Sequence, residues 1–353
     1  MKIILHVGNG KTGTTSIQDS LIASRAALAE QGIAFLGFML DRAPVQAAPW
    51  QRRFLNPNVS MNAFLALEPD VARAQVLDAM RRNLAALGEQ GVHTVIWSNE
   101  RFFNHPRLFA EPMQQLIADG HDVEVIAYVR RHDAWAKSVH NQWHLKRKRN
   151  EGPNLSFREF AETYKVAYAP ALNGWDAAFG DKLVLRNFDA AANVVDDFCA
   201  VTGLPRDLLV ESRSNDTPGP EETVLRVVFN DRIGVWDPSV DPTGFDRLVS
   251  PKDLDLTTNP VALTNDLLPS DDDLRAVLER TAEDRAQVDA LLEARGEPPL
   301  STAPKPVRPV EIDGERMDSI LFQMLIRQAR ELKELKEQVE RLTQAAVPAE
   351  PTA

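Results

Sequence analysis

Residues Gly8-Asn9-Gly10-Lys11-Thr12-Gly13-Thr14-Thr15 combine glycines, a lysine and three hydroxyls in one short stretch. Before them runs Lys2-Ile-Ile-Leu-His-Val-Gly8, which reads as a short buried strand; after them Ile17, Leu21, Ile22 and Leu28 recur at helical spacing between Thr15 and Gln31. A glycine-rich turn between strand and helix presents free backbone N–H groups and the positive helix end to an anion, above all a phosphate. The glycines permit the tight turn and close approach, Lys11 supplies a point charge, and Thr14 and Thr15 can donate hydroxyl hydrogen bonds. The stretch is not a Walker A sequence. Counted from Gly8, the pattern Gly-x-x-x-x-Gly-Lys-Ser/Thr would put lysine at position 14, where this chain has Thr14, which disfavours a nucleotide kinase.

A second anion-binding pair stands at the end of another apolar run, Val123–Val129. Arg130 ends that strand and Ser138 lies eight residues on, along the helix that follows, so a guanidinium and a hydroxyl can converge on one anion. Two such sites at strand ends suit a nucleotide with two separate phosphates. The helix continues into Lys146-Arg147-Lys148-Arg149, giving residues 130–149 seven Lys or Arg against one acidic residue. This basic run either gathers an anionic ligand or complements the helix C-terminus in solvent. His140 and His144 share a helix face without an evident third ligand, and no metal is expected. A third strand, His93–Trp97, ends in Ser98-Asn99-Glu100, whose carboxylate would open into the same crevice and could serve as a general base. His6, inside an apolar strand, is the alternative base.

These residues need a scaffold that brings strand ends together. Strands at 2–8, 32–36, 93–97, 123–129 and 182–185 alternate with helices at 15–31, 71–87, 106–119, 133–148, 156–164, 191–202 and 220–230. Such alternation predicts an α/β fold of three layers around a mostly parallel central sheet, with ligands beyond the carboxyl ends of its strands. Residues 37–69, rich in Pro, Asn and aromatics, read as an irregular lid or acceptor wall, with Trp50, Arg52, Arg53 and Phe54 available for contacts.

The chain of 353 residues is long enough for a large core, and 44% hydrophobic with 26% charged residues is a globular composition. Its net charge of -11 removes generic attraction to nucleic acid or anionic lipid as the organising idea, so any anion site must be local. One cysteine, Cys199, allows neither an internal disulfide nor a cysteine-based zinc cluster. No stretch reaches the roughly 18 apolar residues of a membrane span, and a cytoplasmic protein is expected.

Beyond residue 230 the composition changes. Residues 231–315 hold ten of the 23 prolines and 19 acidic against nine basic residues, which predicts a loosely structured acidic extension, helical only near 271–295, ending in a Pro-rich linker. Residues 316–346 then place Leu321, Leu325, Gln328, Leu332, Leu335, Val339, Leu342 and Ala346 at alternating spacings of four and three, the coiled-coil pattern. Residues 317–346 are therefore expected to join a second copy or a partner helix, the alternative being an amphipathic helix docked on its own domain; 347–353 read as a disordered tail.

In the order Lys11-Thr12-Gly13-Thr14-Thr15-Ser16-Ile17-Gln18, after a first strand and before a long helix, the chain resembles the sulfotransferases, particularly bacterial ones akin to carbohydrate sulfotransferases. The pairing of Arg130 with Ser138, the strand end at Glu100, and the run Leu183-Val-Leu-Arg186-Asn-Phe188-Asp189 followed by Thr202-Gly203-Leu204 extend the resemblance over residues 1–230. Ser214-Asn215, Leu225-Arg226 and Asn230 follow the same layout. It implies a P-loop-like catalytic domain that uses 3′-phosphoadenosine 5′-phosphosulfate (PAPS) as sulfuryl donor, without a metal, and acts on a hydroxyl of a sugar, glycan precursor or other small acceptor. By resemblance Lys11, Thr12, Gly13, Thr14 and Thr15 hold the 5′ side of the donor, Lys11 reaching the oxygen that bridges sulfate and phosphate. Arg130 and Ser138 would hold the 3′-phosphate, and Glu100 would be the base. The Arg-Lys-Gly loop that closes over the nucleotide in cytosolic members has no counterpart after residue 230; Arg186 is one possible substitute. A P-loop kinase or NTPase, and a non-catalytic scaffold with a coiled-coil tail, are the rival readings.

Overall fold

The computed structural model describes residues 1–52, 57–146, 148, 153–210, 219–233 and 259–346. Arg53, Phe54, Arg147, Arg149, Ser214, Asn215 and the tail 347–353 lie outside the described residues. The chain forms two compact units, one of Met1–His140, Phe157–Asp216 and Pro269–Val307, the other of Asn141–Ser156, Thr217–Leu268 and Arg308–Ala353.

The first unit is built on a five-stranded sheet, β1 (Lys2–His6), β2 (Ile33–Phe35), β3 (Thr94–Ser98), β4 (Asp122–Val129) and β5 (Leu183–Asn187), all parallel in the order β2-β3-β1-β4-β5. The near-continuous apolar strands follow from burial on both faces. Register brings the carboxyl ends together: His6 lies opposite Ser98 on one side and Ile126 on the other, and Val129 opposite Asn187. The expected α/β sheet is thus present, with β1 in the middle, where the chain reverses between its two halves.

Helices α1 (Thr14–Ala23), α2 (Arg25–Glu30) and α9 (Val194–Thr202) belong to one side, where Ile17, Leu21, Leu28, Val195 and Phe198 join Ile4, Ile96 and Ile126 in a single buried cluster. The other elements of this unit include α3 (Pro57–Leu65), α4 (Pro69–Glu89), α5 (Pro106–Ala118) and α8 (Ala169–Phe179). There Trp97, Phe102, Phe109, Phe64 and Trp50 form a chain of aromatic contacts with centroids 4.1 to 5.8 Å apart. Each such ring removes about 150–250 Å² of surface from water. Trp50 is buried, with its Nε1 donating to Gln75 Oε1, so it belongs to the core and not to an acceptor wall. Residues 37–69 are not wholly irregular, since the nine-residue α3 lies within them.

The helix expected over 133–148 ends sooner. Helix α6 (His132–His140) gives way to a wider π-type turn at Asn141–Lys146. Within the segment expected as a loose acidic extension, the helices expected near 271–295 are present and packed into the first unit. Helix α12 (Asp271–Arg280) packs on α6 and on α7 (Phe157–Thr163), and α13 (Ala282–Glu293) packs on α8 and β5. Leu274, Val288 and Leu292 are buried, and Asp284 accepts from His132 Nε2 (2.7 Å) and from the N–H groups of Tyr168 and Ala169 (2.9 Å each). Asp273 closes a capping box with Ser270 and pairs with Arg158, and Glu297 pairs with Arg186, so these carboxylates belong to the fold and not to a solvated tail.

The second unit holds α10 (Pro220–Ile233), α11 (Pro260–Leu267) and the 33-residue α14 (Gly314–Ala346). Val227, Leu267 and Leu145 form its buried cluster. Lys148 is fully buried, its Nζ donating to Asn230 O at 2.9 Å, and His144 is also buried, so this part of the basic run is not a solvated cationic face. Among the described residues no helix is long and apolar enough to cross a membrane.

Candidate functional site

The loop from Val7 to Gly13 leaves β1 at its carboxyl end and runs directly into α1. Gly13 closes it in the left-handed region, φ 78°, where a Cβ would also stand 2.7 Å from Val194 Cγ1 and 3.0 Å from Phe188 Cε2. Glycine is required there twice over, by backbone conformation and by packing. Lys11 adopts φ 70° as well, an uncommon conformation for a residue with a side chain.

What holds Lys11 there can be read from the carbonyls of the loop. Trp135 Nε1 donates to Gly10 O and Arg130 Nη1 donates to Lys11 O, both at 2.8 Å, while the Thr12 and Thr14 hydroxyls donate to Asn9 O. Three successive acceptors are therefore satisfied from within the fold. The N–H groups of Gly10, Thr12, Gly13, Thr14 and Thr15, by contrast, donate to no group among the described residues. Acceptors satisfied from within the fold and donors left over, at the N-terminus of a ten-residue helix, are an arrangement that can cradle an anion.

The threonines divide their roles. Thr12 and Thr14 are buried and their hydroxyls stitch the loop together, whereas Thr15 is exposed on the first turn of α1. Thr12 and Thr14 can thus contribute backbone N–H groups but not free hydroxyls, and of the two hydroxyls expected to meet an anion, those of Thr14 and Thr15, only that of Thr15 stays available.

Arg130 stands at the tip of β4 beside this loop. Its guanidinium lies 5.0 Å from the Phe188 ring centroid, Nη2 is 3.6 Å from Asp189 Oδ1, and the buried Nε has no hydrogen-bond partner among the described residues. Ser138 is half-buried on α6, two turns along from Arg130. The neighbouring Arg131 is committed elsewhere, to Asp133 Oδ1 at 2.6 Å and Ala303 O at 2.6 Å. Arg186 pairs with Asp197 and Glu297 and is not available as a phosphate ligand.

Glu100 follows the tip of β3, where Asn99 caps the next turn by accepting from Arg101 N at 3.0 Å. A Cβ built on Gly10 would lie 3.7 Å from Glu100 Oε2, so the carboxylate borders the loop. The residue is open to solvent on one side, yet the protein around the carboxyl desolvates it and raises its pKa above the ordinary glutamate value. The charges of Lys11 and Arg101 oppose that rise, which puts both cations within electrostatic reach of it. Arg101 is itself anchored, Nη1 donating to Asn62 Oδ1 on α3 at 2.7 Å.

His6 lies under the loop, fully buried. Its Nδ1 is 2.8 Å from Ser98 Oγ, which also accepts from Gln18 Nε2 at 3.2 Å, and its ring packs on Phe198 and Tyr128. Burial lowers its pKa to about 3. It cannot reach an acceptor, and the reading of His6 as alternative base gives way to that of a support for the loop.

Sequence reasoning thus named Lys11, Glu100 and Arg130, which the structure gathers around one loop. It missed Trp135, Asn9 and the Ser98–His6–Gln18 cluster. A tryptophan on the first turn of a helix carries no signal that its N–H reaches a carbonyl 125 positions away.

No family model matches the chain, and no curated protein matches it. Among solved structures it is similar to one described as a sulfotransferase from Alicyclobacillus acidocaldarius, at 20% identity over 64% of this chain and 93% of that one. The TM-score is 0.34.

Proposed function

We propose that this protein is a sulfotransferase that moves a sulfuryl group from PAPS to a hydroxyl of a sugar, a glycan precursor or another small acceptor. The observation that supports the reading is the loop at residues 8–15, whose carbonyls are held by Trp135 and Arg130 and whose N–H groups at Gly10, Thr12, Gly13, Thr14 and Thr15 donate to no group among the described residues. The donor set fits a bis-phosphorylated adenosine: backbone N–H groups and Lys11 for the 5′ side, Arg130 and Ser138 for the 3′-phosphate. When bound, the donor supplies a sulfuryl group whose bond to the phosphate oxygen breaks as the bond to the acceptor oxygen forms.

The chain's own residues divide the remaining work. Lys11 neutralises charge on the leaving phosphate side. Glu100, across Gly10 from it, takes the proton of the attacking hydroxyl, and desolvation makes its carboxylate a stronger base than a free glutamate. Arg101 and Lys11 keep that carboxylate ionised enough to act. The helix dipole and loop amides fix the donor in place, so that positioning supplies a large part of the barrier reduction.

Isothermal calorimetry with 3′-phosphoadenosine 5′-phosphate tests the reading. The intact chain is expected to bind it and the Lys11→Ala variant to bind about tenfold or more weakly, the scale of a charge-assisted contact. Absence of binding by the intact chain, or preference for ATP with Mg²⁺, would reject the donor.

A further inference from the structure

Helix α14 carries its apolar residues outward. Leu325, Leu332, Leu335, Val339 and Leu342 are 56 to 70% exposed, and Phe322 beside them is 64% exposed. A row of large apolar side chains along one face of a 33-residue helix needs an occupant. With Leu325, Leu332 and Val339 at a positions, Leu321, Gln328, Leu335 and Leu342 fall at d, and the apolar seam runs for about three heptads with Gln328 as its one polar member.

We propose that a second copy of this chain covers the stripe, in a parallel and in-register two-stranded coiled coil. Charge selects that orientation. The flanking g positions hold Met324, Glu331 and Gln338, and the e positions hold Phe322, Ala329, Lys336 and Thr343. In a parallel pair a g residue faces the e residue five places on, so Glu331 meets Lys336 of the partner subunit, twice by symmetry. In an antiparallel pair g faces g and e faces e, and Glu331 finds only uncharged residues such as Met324 and Gln338, or its own copy. The two charges then have no opposite partner across the interface.

Register is fixed by the one polar seam position. Aligned copies place Gln328 against its own copy, where two amides can bond each other; a slip of one heptad sets it against leucine. Along one chain Arg327 pairs with Glu331 at 3.3 Å and Lys333 with Glu337 at 3.9 Å, so the Glu331 carboxylate stands between its own Arg327 and Lys336 of the partner subunit. Three heptads give a modest interface, so the association is concentration-dependent.

Sedimentation of the full chain is expected to show a mass rising from 39.3 kDa to twice that value with concentration. Leu335→Lys should weaken association about 100-fold or more, the loss of two buried leucines per dimer, with unchanged far-UV circular dichroism. Glu331→Lys should weaken it and Glu331→Lys with Lys336→Glu should restore it. Gln328→Cys should cross-link as a dimer under diamide, since the remaining thiol, Cys199, is buried and its pKa raised to about 11. A monomer at all concentrations overturns the proposal; a dimer that neither cross-links at 328 nor responds to the charge reversal overturns its parallel register.

Discussion

The guanidinium of Arg130, at the tip of one strand, donates to the carbonyl oxygen of Lys11, in the loop after another, across 2.8 Å. The two cationic residues proposed to grip opposite ends of a nucleotide are therefore members of one structure. Arg130 fixes the backbone of the residue whose ammonium group it accompanies, and that backbone sits at φ 70°.

Replacing Arg130 by Lys should not rescue the site. Lysine keeps the charge but lacks the fork that spans Lys11 O and a second acceptor. Calorimetric affinity for 3′-phosphoadenosine 5′-phosphate should fall about tenfold or more in Arg130→Lys and further in Arg130→Ala. Equal affinity in Arg130→Lys and the parent chain would assign Arg130 a purely electrostatic role.

Glu100→Gln should retain nucleotide binding and lose turnover by about 10²-fold or more, the scale of a general base. Because desolvation raises the Glu100 pKa, turnover of the parent chain should decline with falling pH above the ordinary glutamate range. The variant should lose that acidic limb. A limb that survives in Glu100→Gln would place the base elsewhere.

Gly13→Ala should destabilise the fold by about 2–3 kcal/mol, combining left-handed backbone strain with crowding against Val194. Urea unfolding measures it, with nucleotide affinity falling alongside because the loop shifts. A stability within about 0.5 kcal/mol of the parent, the range of a neutral surface change, would mean that the loop yields freely.

Stability should depend on pH through His6. Its folded pKa of about 3 lies below the 6.5 of an exposed histidine, so the unfolded chain binds the extra proton between those values. The contribution is complete above pH 6.5 and is lost as pH falls, by up to about 1.4 kcal/mol per pH unit. Urea midpoints between about pH 4.5 and 7.5, a range spanning the ordinary histidine value, should vary less for His6→Asn than for the parent chain. Parallel curves would show that His6 is not the titrating group.

The strand–loop–helix at the N-terminus, the five parallel strands and the long last helix were all legible in the sequence, since glycine placement and apolar period are local properties of a chain. That Lys11, Glu100 and Arg130 come to one loop was legible for the same reason: each lies where a strand ends, and in a parallel sheet strand ends share an edge. Tertiary structure alone decided that β1 lies between β3 and β4, which puts Glu100 on one side of the loop and Arg130 on the other. It also decided that Trp135 ties down Gly10, that Trp50 and Lys148 are interior, and that residues 269–307 brace α6 and β5. Those outcomes depend on contacts between residues far apart in the chain, where the free energy of burial and pairing is set by the partner, and no local pattern names the partner.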